Sequence, residues 1–196
     1  ANTTGVNNTA IGSYCLDANT TADENTAMGY AALGANTTGS ANTAFGARAL
    51  LLNTTTANNT AIGYYALTDN VGVYNTALGS QALFENTTGG SNTAIGALAL
   101  DANTTAANNT AVGTSSLAAN TTGASNVGLG AYALDANTTA SNNVGVGVHA
   151  LGQTTTGASN TSIGTASMND NTTGASNTAV GMNALNANTT ADTNVA

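Results

Sequence analysis

The chain of 196 residues carries a formal net charge of −8 and one basic residue, Arg48, so it lacks the clustered lysine and arginine that nucleic-acid binding requires. Alanine, threonine, asparagine and glycine supply 130 of the 196 residues and aromatic residues only 4%, which excludes a core built from many large side chains. No apolar segment approaches the ~18 residues that span a bilayer, so we expect no membrane insertion.

A glycine returns at every seventeenth place along the chain, as at Gly12, Gly29 and Gly46, and only the step from Gly63 to Gly79 is one place shorter. Each of these glycines ends an Asn-Thr-Ala-(apolar)-Gly motif or a close variant of it. A fixed period predicts a repeat protein, in which each unit stacks on its neighbours. Because the large apolar residues also recur at fixed places, we favour an ordered array over a disordered low-complexity chain. We expect residues 1–196 to form one array of about 11 coils, with an incomplete repeat at each end.

We number each repeat from the asparagine that opens the motif, so that residues 92–108 are positions 1 to 17 of one unit. Positions 2 to 4 hold a β-branched residue, a small residue and a larger apolar residue, and this alternation predicts a short strand. Position 9 is a second apolar place, almost always leucine. We expect positions 4 and 9 to form the core, as represented by Ile11, Leu16, Ile62, Leu67, Ile95, Leu100, Ile163 and Leu185.

These features predict an all-β fold, a tandem-repeat β-solenoid (β-roll) of stacked 17-residue coils. Helices are excluded because asparagine, threonine and glycine dominate and no apolar period of 3.6 residues exists. A meander of hairpins is the alternative, but the chain has no Asn-Gly or Asp-Gly dipeptide for two-residue turns.

Position 1 is asparagine in all twelve of its occurrences. A column of stacked asparagines suits a ladder in which each side-chain amide bonds to those above and below it. The expected structural ladder consists of Asn8, Asn25, Asn42, Asn59, Asn75, Asn92, Asn109, Asn126, Asn143, Asn160, Asn177 and Asn194.

A second asparagine, at position 12, begins an Asn-Thr-Thr turn in ten units. The 16-residue unit shortens this segment, which predicts an outer loop. Each Asn-Thr-Thr is an acceptor sequence for N-linked sugar, although the residues could instead only build the turn, or the threonines could carry O-linked sugar. The candidate N-glycosylation sites are Asn2, Asn19, Asn36, Asn53, Asn86, Asn103, Asn120, Asn137, Asn171 and Asn188, and the less regular matches are Asn7, Asn58, Asn108 and Asn160.

The residues capable of chemistry are few and dispersed. Cys15 replaces alanine or serine at position 8 and is expected to be a small packed residue, with intermolecular pairing as the alternative. His149 and Arg48 occupy the variable position 7, which we expect to face solvent. The scattered carboxylates lack metal-ligand spacing and suit solubility better than calcium binding. We therefore expect no enzyme and no cofactor.

Residues 59–63 and 92–96, both Asn-Thr-Ala-Ile-Gly, resemble the head repeats of trimeric autotransporter adhesins. Those repeats carry a similar Asn-Ser-x-Ala-Ile-Gly motif on a left-handed parallel β-roll, with a period shorter than that of this chain. The chain is also similar to Asn-Thr-Ala-x-Gly repeats in phage tail fibres and in bacterial and archaeal surface proteins. The resemblance implies an extracellular structural or adhesive role.

The sequence thus favours a structural subunit of an extracellular or cell-surface filament, glycosylated on its outward turns. The expected partners are copies of the same chain, joined end to end or laterally, and covalent glycans. No polar capping unit is visible at either end, which favours a longer array or docking on another copy. The alternatives are an adhesin or tail-fibre shaft that binds a surface and, less favoured, an ice-binding protein with ranked threonine pairs.

Overall fold

The computed structural model describes residues 2–196 and confirms an all-β solenoid of stacked 17-residue coils. Each coil contributes one three-residue strand, and the eleven strands form one sheet in chain order. The strands are β1 (Thr9–Ile11), β2 (Thr26–Met28), β3 (Thr43–Phe45), β4 (Thr60–Ile62), β5 (Thr76–Leu78), β6 (Thr93–Ile95), β7 (Thr110–Val112), β8 (Val127–Leu129), β9 (Val144–Val146), β10 (Thr161–Ile163) and β11 (Thr178–Val180).

Neighbouring strands are parallel and pair identical positions of the repeat, as Thr43 pairs with Thr60. Backbone hydrogen bonds between coils continue outside the strands, where the N–H of Leu50 donates to the carbonyl of Ala66 at 3.1 Å. Each coil therefore forms hydrogen bonds to its neighbouring coils on several of its sides. At the usual ~4.8 Å spacing of strands, eleven coils give a rod about 50 Å long.

The core is a single file of large side chains with small residues around it. Position 9 supplies the large side chain, and nine of these residues, from Leu33 to Met168, have no exposed surface. Alanine or serine at positions 3 and 8 packs against them, as Ala94 and Ala99 do beside Leu100. Of the predicted core leucines, Leu16, Leu67 and Leu100 lie in this core, and Leu185 is half-buried against it.

The prediction that position 4 also lies in the core was wrong. Ile11, Ile62 and Ile163 are 53%, 36% and 41% exposed, and Ile95 is half-exposed. Successive residues of a strand point to opposite sides, and positions 1 and 3 point inward. Position 4 therefore points outward, and alanine takes the inward place because leucine from the opposite wall already fills the narrow coil.

The corners of the coil are built from residues with positive φ. In each full unit these are the glycine at position 5 and three residues other than glycine. Positions 7, 9 and 17 take left-handed values, as in Leu98 (φ 59°), Leu100 (φ 52°) and Asn108 (φ 62°). Such values cost an L-residue about 1–2 kcal/mol. Stacking holds them in place, because the N–H of each donates to a neighbouring coil, for example from Leu100 to Ser116 at 3.0 Å.

Glycine at position 5 is required by both conformation and space. Gly96 has φ 131°, and a Cβ atom added there would lie 2.5 Å from the carbonyl oxygen of Gly113 in the next coil. Ten of the eleven glycines at this position stack on the next one in the same way. The 17-residue period of glycine is therefore a direct record of the coil stacking.

The 16-residue unit loses its residue in the turn, at Asn70-Val71-Gly72. Asn70 nevertheless stays buried, and its Oδ1 atom accepts a hydrogen bond from Nδ2 of Asn86 at 2.8 Å. The position 1 column also continues, because the backbone N–H of Asn75 donates to Oδ1 of Asn59 at 3.0 Å. The solenoid therefore absorbs a one-residue deletion without losing its register.

Candidate functional surfaces

The asparagines at position 1 form a buried ladder between side chains and backbone. The backbone N–H of Asn109 donates to Oδ1 of Asn92 at 3.0 Å, and Nδ2 of Asn109 donates to the carbonyl of Gly123 at 2.9 Å. The same backbone bond to the preceding asparagine repeats from Asn25 to Asn194 at 2.8–3.0 Å. This column thus ties each coil to both neighbours, mostly without direct amide-to-amide bonds.

The direct amide ladder lies instead at position 12, at the start of the turn. Nδ2 of Asn103 donates to Oδ1 of Asn86 at 2.7 Å and to the carbonyl of Ala106 at 3.1 Å. Similar side-chain bonds join Asn120 to Asn103 and Asn137 to Asn120. Both hydrogens of the Asn103 amide are therefore used inside the protein.

This geometry overturns the expectation that the turn asparagines face outward. Eight of the ten candidate glycosylation sites have buried side chains, whereas Asn2 is exposed and Asn188 half-buried. A sugar is bulky and needs a surface amide, so it cannot be accommodated at a buried Nδ2 that bonds to two neighbours. The buried eight are Asn19, Asn36, Asn53, Asn86, Asn103, Asn120, Asn137 and Asn171.

Three of the less regular acceptor sequences are exposed. Asn7, Asn58 and Asn108 occupy position 17, where the backbone has positive φ and the side chain points to solvent. They recur every third coil along one side of the rod. The fourth match, Asn160, belongs to the buried position 1 ladder.

The threonine pairs of the turn do not present paired hydroxyls to solvent. The first threonine donates its hydroxyl to the next coil, as Thr104 does to the carbonyl of Thr121 at 3.1 Å. The second threonine, such as Thr105, is exposed in the turns. Only one ranked hydroxyl per coil therefore remains at the turn surface, which weakens the ice-binding hypothesis.

The outward surface of the sheet forms an uncharged strip that we call the sheet face. It consists of positions 2, 4 and 6 of every coil, from Thr9, Ile11 and Ser13 to Thr178, Val180 and Met182. Threonine holds position 2 in nine of the eleven strands, and the residues of position 4 form an apolar column beside it. At position 4, Phe45 is 53% exposed, and it pairs in register with Met28 and Ile62. This face was not expected from the sequence, although position 3 is always small and position 1 always asparagine, a pattern that places position 4 on the outward side.

Aromatic and basic side chains stack on one another at position 6 of the sheet face and at the following position 7. The Cζ atom of Arg48 lies 5.0 Å from the ring centre of Tyr65 and 5.9 Å from that of Tyr30. Farther along, the rings of Tyr132 and His149 stack with centres 5.0 Å apart. Each pair spans neighbouring coils, so these contacts add to the stacking. The expectation that His149 faces solvent agrees with its exposed side chain.

Six of the nine acidic residues lie at positions 10 and 11, and the other three, Asp23, Glu24 and Asp192, lie at positions 16 and 17, just before position 1 of the next unit. Burial raises the pKa of Asp101, and the negative charge of Glu85 raises it further. Burial also raises the pKa of Asp135. Each of these two aspartates has a buried Oδ1 atom without a hydrogen-bond partner. Cys15 is half-buried and free, and burial raises the pKa of its thiol.

No group of three histidine, cysteine or acidic residues within residues 2–196 is arranged to hold a metal ion. The same residues contain no pocket and no helix long and apolar enough to cross a bilayer. Comparisons with protein-family models, with curated proteins and with solved structures find no match to the chain. The functional proposals therefore rest on the geometry of the coils and on the surfaces they present.

Proposed function

We propose that the chain is a structural subunit of an extracellular or cell-surface filament built from stacked β-coils. The observation that carries this proposal is the uniform junction between coils: the same backbone bonds, asparagine bonds and glycine contact recur from coil to coil. A surface that is complementary to itself at every junction can be extended by more coils without a change in chemistry.

The first strand illustrates what further stacking would bury. Ala10 of β1 is exposed, whereas the equivalent Ala27 of β2 is fully buried by its neighbours. A coil placed before β1, from the same chain or from another copy, would bury Ala10 in the same way. Unpaired strand edges promote this kind of association. Copies of the chain are therefore the partners that we propose, joined end to end.

The proposed filament carries sugar at sites that differ from the turn asparagines of the sequence analysis. We place N-linked glycans at Asn7, Asn58 and Asn108, because these acceptors are exposed, while most of the position 12 amides are buried. Glycans at every third coil would form a row along one side of the rod. The second threonines of the turns are the alternative attachment sites for O-linked sugar.

Electron microscopy of natively sourced protein tests the filament proposal. We expect rods much longer than the ~50 Å of one chain, with an axial repeat of about 4.8 Å in their diffraction. Dispersed single rods at all concentrations would contradict it. Glycopeptide mass spectrometry, with a protease suited to a chain without lysine, tests the sugar separately: mass on Asn58 and Asn108 supports the assignment, and bare peptides reject it.

The alternative function is an adhesin or tail-fibre shaft that binds a surface, which the resemblance to adhesin heads and phage tail fibres also suggests. The specific observation in its favour is the row of Tyr30, Arg48 and Tyr65, which presents stacked rings and a cation at the variable positions. Replacing Tyr30 and Tyr65 by serine should abolish binding to a target surface if this function holds. Unchanged binding, with the fold intact, would remove the row from consideration.

A further inference from the structure

We propose that the sheet face is the site at which a second copy of the chain packs side by side, sheet face against sheet face. The inference rests on the proposed filament function and specifies its lateral contact. The face is a regular array, because eleven in-register strands place one apolar side chain per coil in a straight column. Exposed apolar patches of this length on soluble proteins commonly mark interaction sites.

Seven of the eleven side chains in the position 4 column are exposed in the single chain, and the other four are partly exposed, namely Met28, Ile95, Val112 and Val146. The members of the column include Phe45 at 53%, Leu78 at 43% and Ile163 at 41% exposure, and they line the sheet from end to end. They contribute nothing to the core, which position 9 fills from the opposite wall. The position is nevertheless isoleucine, leucine, valine, methionine or phenylalanine in all eleven strands. A second apolar surface covering this column would explain why these residues are apolar.

The distribution of charge favours a second copy as that surface. Positions 2, 4 and 6 contain no charged residue, and all nine carboxylates lie at positions 10, 11, 16 and 17. Two copies that meet through their sheet faces therefore bring no charged side chain of positions 2, 4 and 6 together, and the six carboxylates at positions 10 and 11 stay outside the contact. A partner of opposite charge would instead be drawn to the acidic turns. The single basic residue, Arg48, likewise disfavours an anionic membrane as the occupant.

The area and the spacing of the face also fit a second copy. A strip about 50 Å long and about 15 Å wide covers about 750 Å², close to the ~800 Å² that each partner contributes to a standard interface. Both copies have the same spacing between coils, so the side chains of one column can interlock with the gaps of the other along the full length. A two-fold axis closes this arrangement as a pair.

The middle strand provides the sharpest test, because Ile95 of β6 lies at the centre of the face for both two-fold orientations. We expect the unmodified chain to form side-by-side dimers in sedimentation at increasing concentration. Ile95→Asp should weaken this association at least about 100-fold, because it buries an unpaired carboxylate in the interface. Thr105→Asp adds the same charge on the exposed turn of the same coil and should leave the dimer unchanged.

Disulfide trapping gives a second readout that does not depend on weakening the dimer. In a Cys15→Ser background, which copies the serine found at position 8 in other coils, Ile95→Cys should form an intermolecular disulfide on mild oxidation. A mixture of Met28→Cys and Ile163→Cys chains reports orientation, since β2 faces β10 only in antiparallel pairs and β2 faces β2 only in parallel pairs. Either pattern supports the face, and no disulfide at any of the three sites overturns it.

The lateral contact and the end-to-end contact can fail separately. Monomeric rods whose sedimentation is the same with Ile95 and with Ile95→Asp would overturn the sheet-face proposal. If such rods still lengthen in electron micrographs, the filament proposal stands. Side-by-side pairs that never lengthen would support the sheet face and contradict the filament. A dimer equally sensitive to Thr105→Asp and Ile95→Asp would place the contact elsewhere and reject the sheet face.

Discussion

Thr154 follows Asn137 in the position 12 ladder, and the side-chain oxygen of Asn137 is left buried without a hydrogen-bond partner. In most other coils this oxygen accepts a hydrogen from the next amide, as Asn120 accepts one from Asn137 at 2.7 Å, and the exception is Asn19. Thr154 instead donates its single hydroxyl hydrogen to the carbonyl of Asn171 at 3.0 Å. The ladder is therefore interrupted at this coil, where a buried acceptor has lost its donor.

Thr154→Asn should repair this interruption and stabilise the protein. We expect a gain of about 1 kcal/mol in the free energy of unfolding, because the new amide can reach Asn137 while one hydroxyl bond is lost. Chemical denaturation measures the change. The reverse substitution, Asn120→Thr, removes the donor to Asn103 and should cost about 1–3 kcal/mol. Equal effects of the two substitutions would contradict the ladder.

The two apolar positions of the repeat should respond very differently to truncation. Leu100→Ala removes a fully buried side chain and should cost about 2–5 kcal/mol. Ile95→Ala, in the same coil, truncates a partly exposed outward side chain and should cost clearly less, about 1 kcal/mol in the isolated chain. Thermal unfolding of dilute protein measures both. A larger loss from Ile95→Ala would place the core on the sheet face.

Gly96→Ala should be strongly destabilising, because the added Cβ meets the Gly113 carbonyl oxygen at 2.5 Å in a backbone of positive φ. We expect a loss of about 2–3 kcal/mol in unfolding free energy. The matched control is Gly90→Ala at position 16, where several other coils already carry alanine. Its added Cβ would lie 3.1 Å from the carbonyl oxygen of Val73, a looser contact than at Gly96, and the loss should stay below about 1 kcal/mol. A neutral Gly96→Ala would show that the coils can separate at this corner.

Asp101 should make the free energy of unfolding fall as pH rises, whereas a carboxylate in an ion pair makes it rise. Burial, with the charge of Glu85 added, raises its pKa in the folded chain above the ordinary value of about 3.9. The folded state therefore binds the proton more tightly than the unfolded state, and stability from this group falls as pH rises from about 3.9 through the raised pKa. At neutral pH the buried charge is a net cost.

Asp101→Asn should therefore raise the melting temperature at pH 7 and have a smaller effect near pH 4. Asparagine already occupies the same position as Asn169 and Asn186, so the shape is compatible with the coil. Asp170→Asn makes the same change of charge on an exposed side chain and should give a smaller gain that salt screens. A gain from Asp101→Asn that is equal at both pH values would contradict the burial effect.

Trypsin should leave the folded chain intact, although Arg48 is its one cleavage site. The guanidinium lies between two tyrosine rings, and the backbone N–H of Arg48 donates to the carbonyl of Tyr30 at 2.8 Å. A protease needs a locally unfolded segment, which these contacts oppose. Heat-denatured chain should yield the fragments 1–48 and 49–196. Rapid cleavage of the native chain would indicate that this coil opens readily.

The fold could be predicted from the sequence because the period of the repeat indicates which residues lie next to each other in neighbouring coils. Glycine at position 5 and asparagine at position 1 recur wherever identical residues stack, so the period predicts parallel coils. Hydrophobicity alone then misassigned position 4, since isoleucine at Ile62 or Ile163 looks like a core residue. The alternation of side chains along the strand was the better guide. Asn59 and Ala61 point inward, so Ile62, which follows Ala61, must point outward.

The turn ladder was missed because Asn-Thr-Thr has the composition of an exposed loop. The available signal was that Asn70 is retained even where the turn loses a residue, whereas the preceding position 11 holds alanine, leucine, aspartate, glutamate or glutamine. The positive φ values left a comparable trace. Positions 7, 9 and 17 never contain valine or isoleucine, whose branched Cβ disfavours the left-handed region. Nothing else in the sequence indicated that the leucine at position 9 has positive φ.

Because successive coils join through the same backbone contacts, the number of repeats in the gene sets the length of the rod. Loss or gain of one whole repeat in the gene would join two coils through the same backbone hydrogen bonds as those they replaced. Each such event would change the rod by about 4.8 Å and leave its cross-section untouched. The coil from Gly63 to Gly79 extends this tolerance to a fraction of a repeat, provided that the change falls in the turn. Recombination between repeats can therefore change the length of the rod while the fold of each coil stays the same.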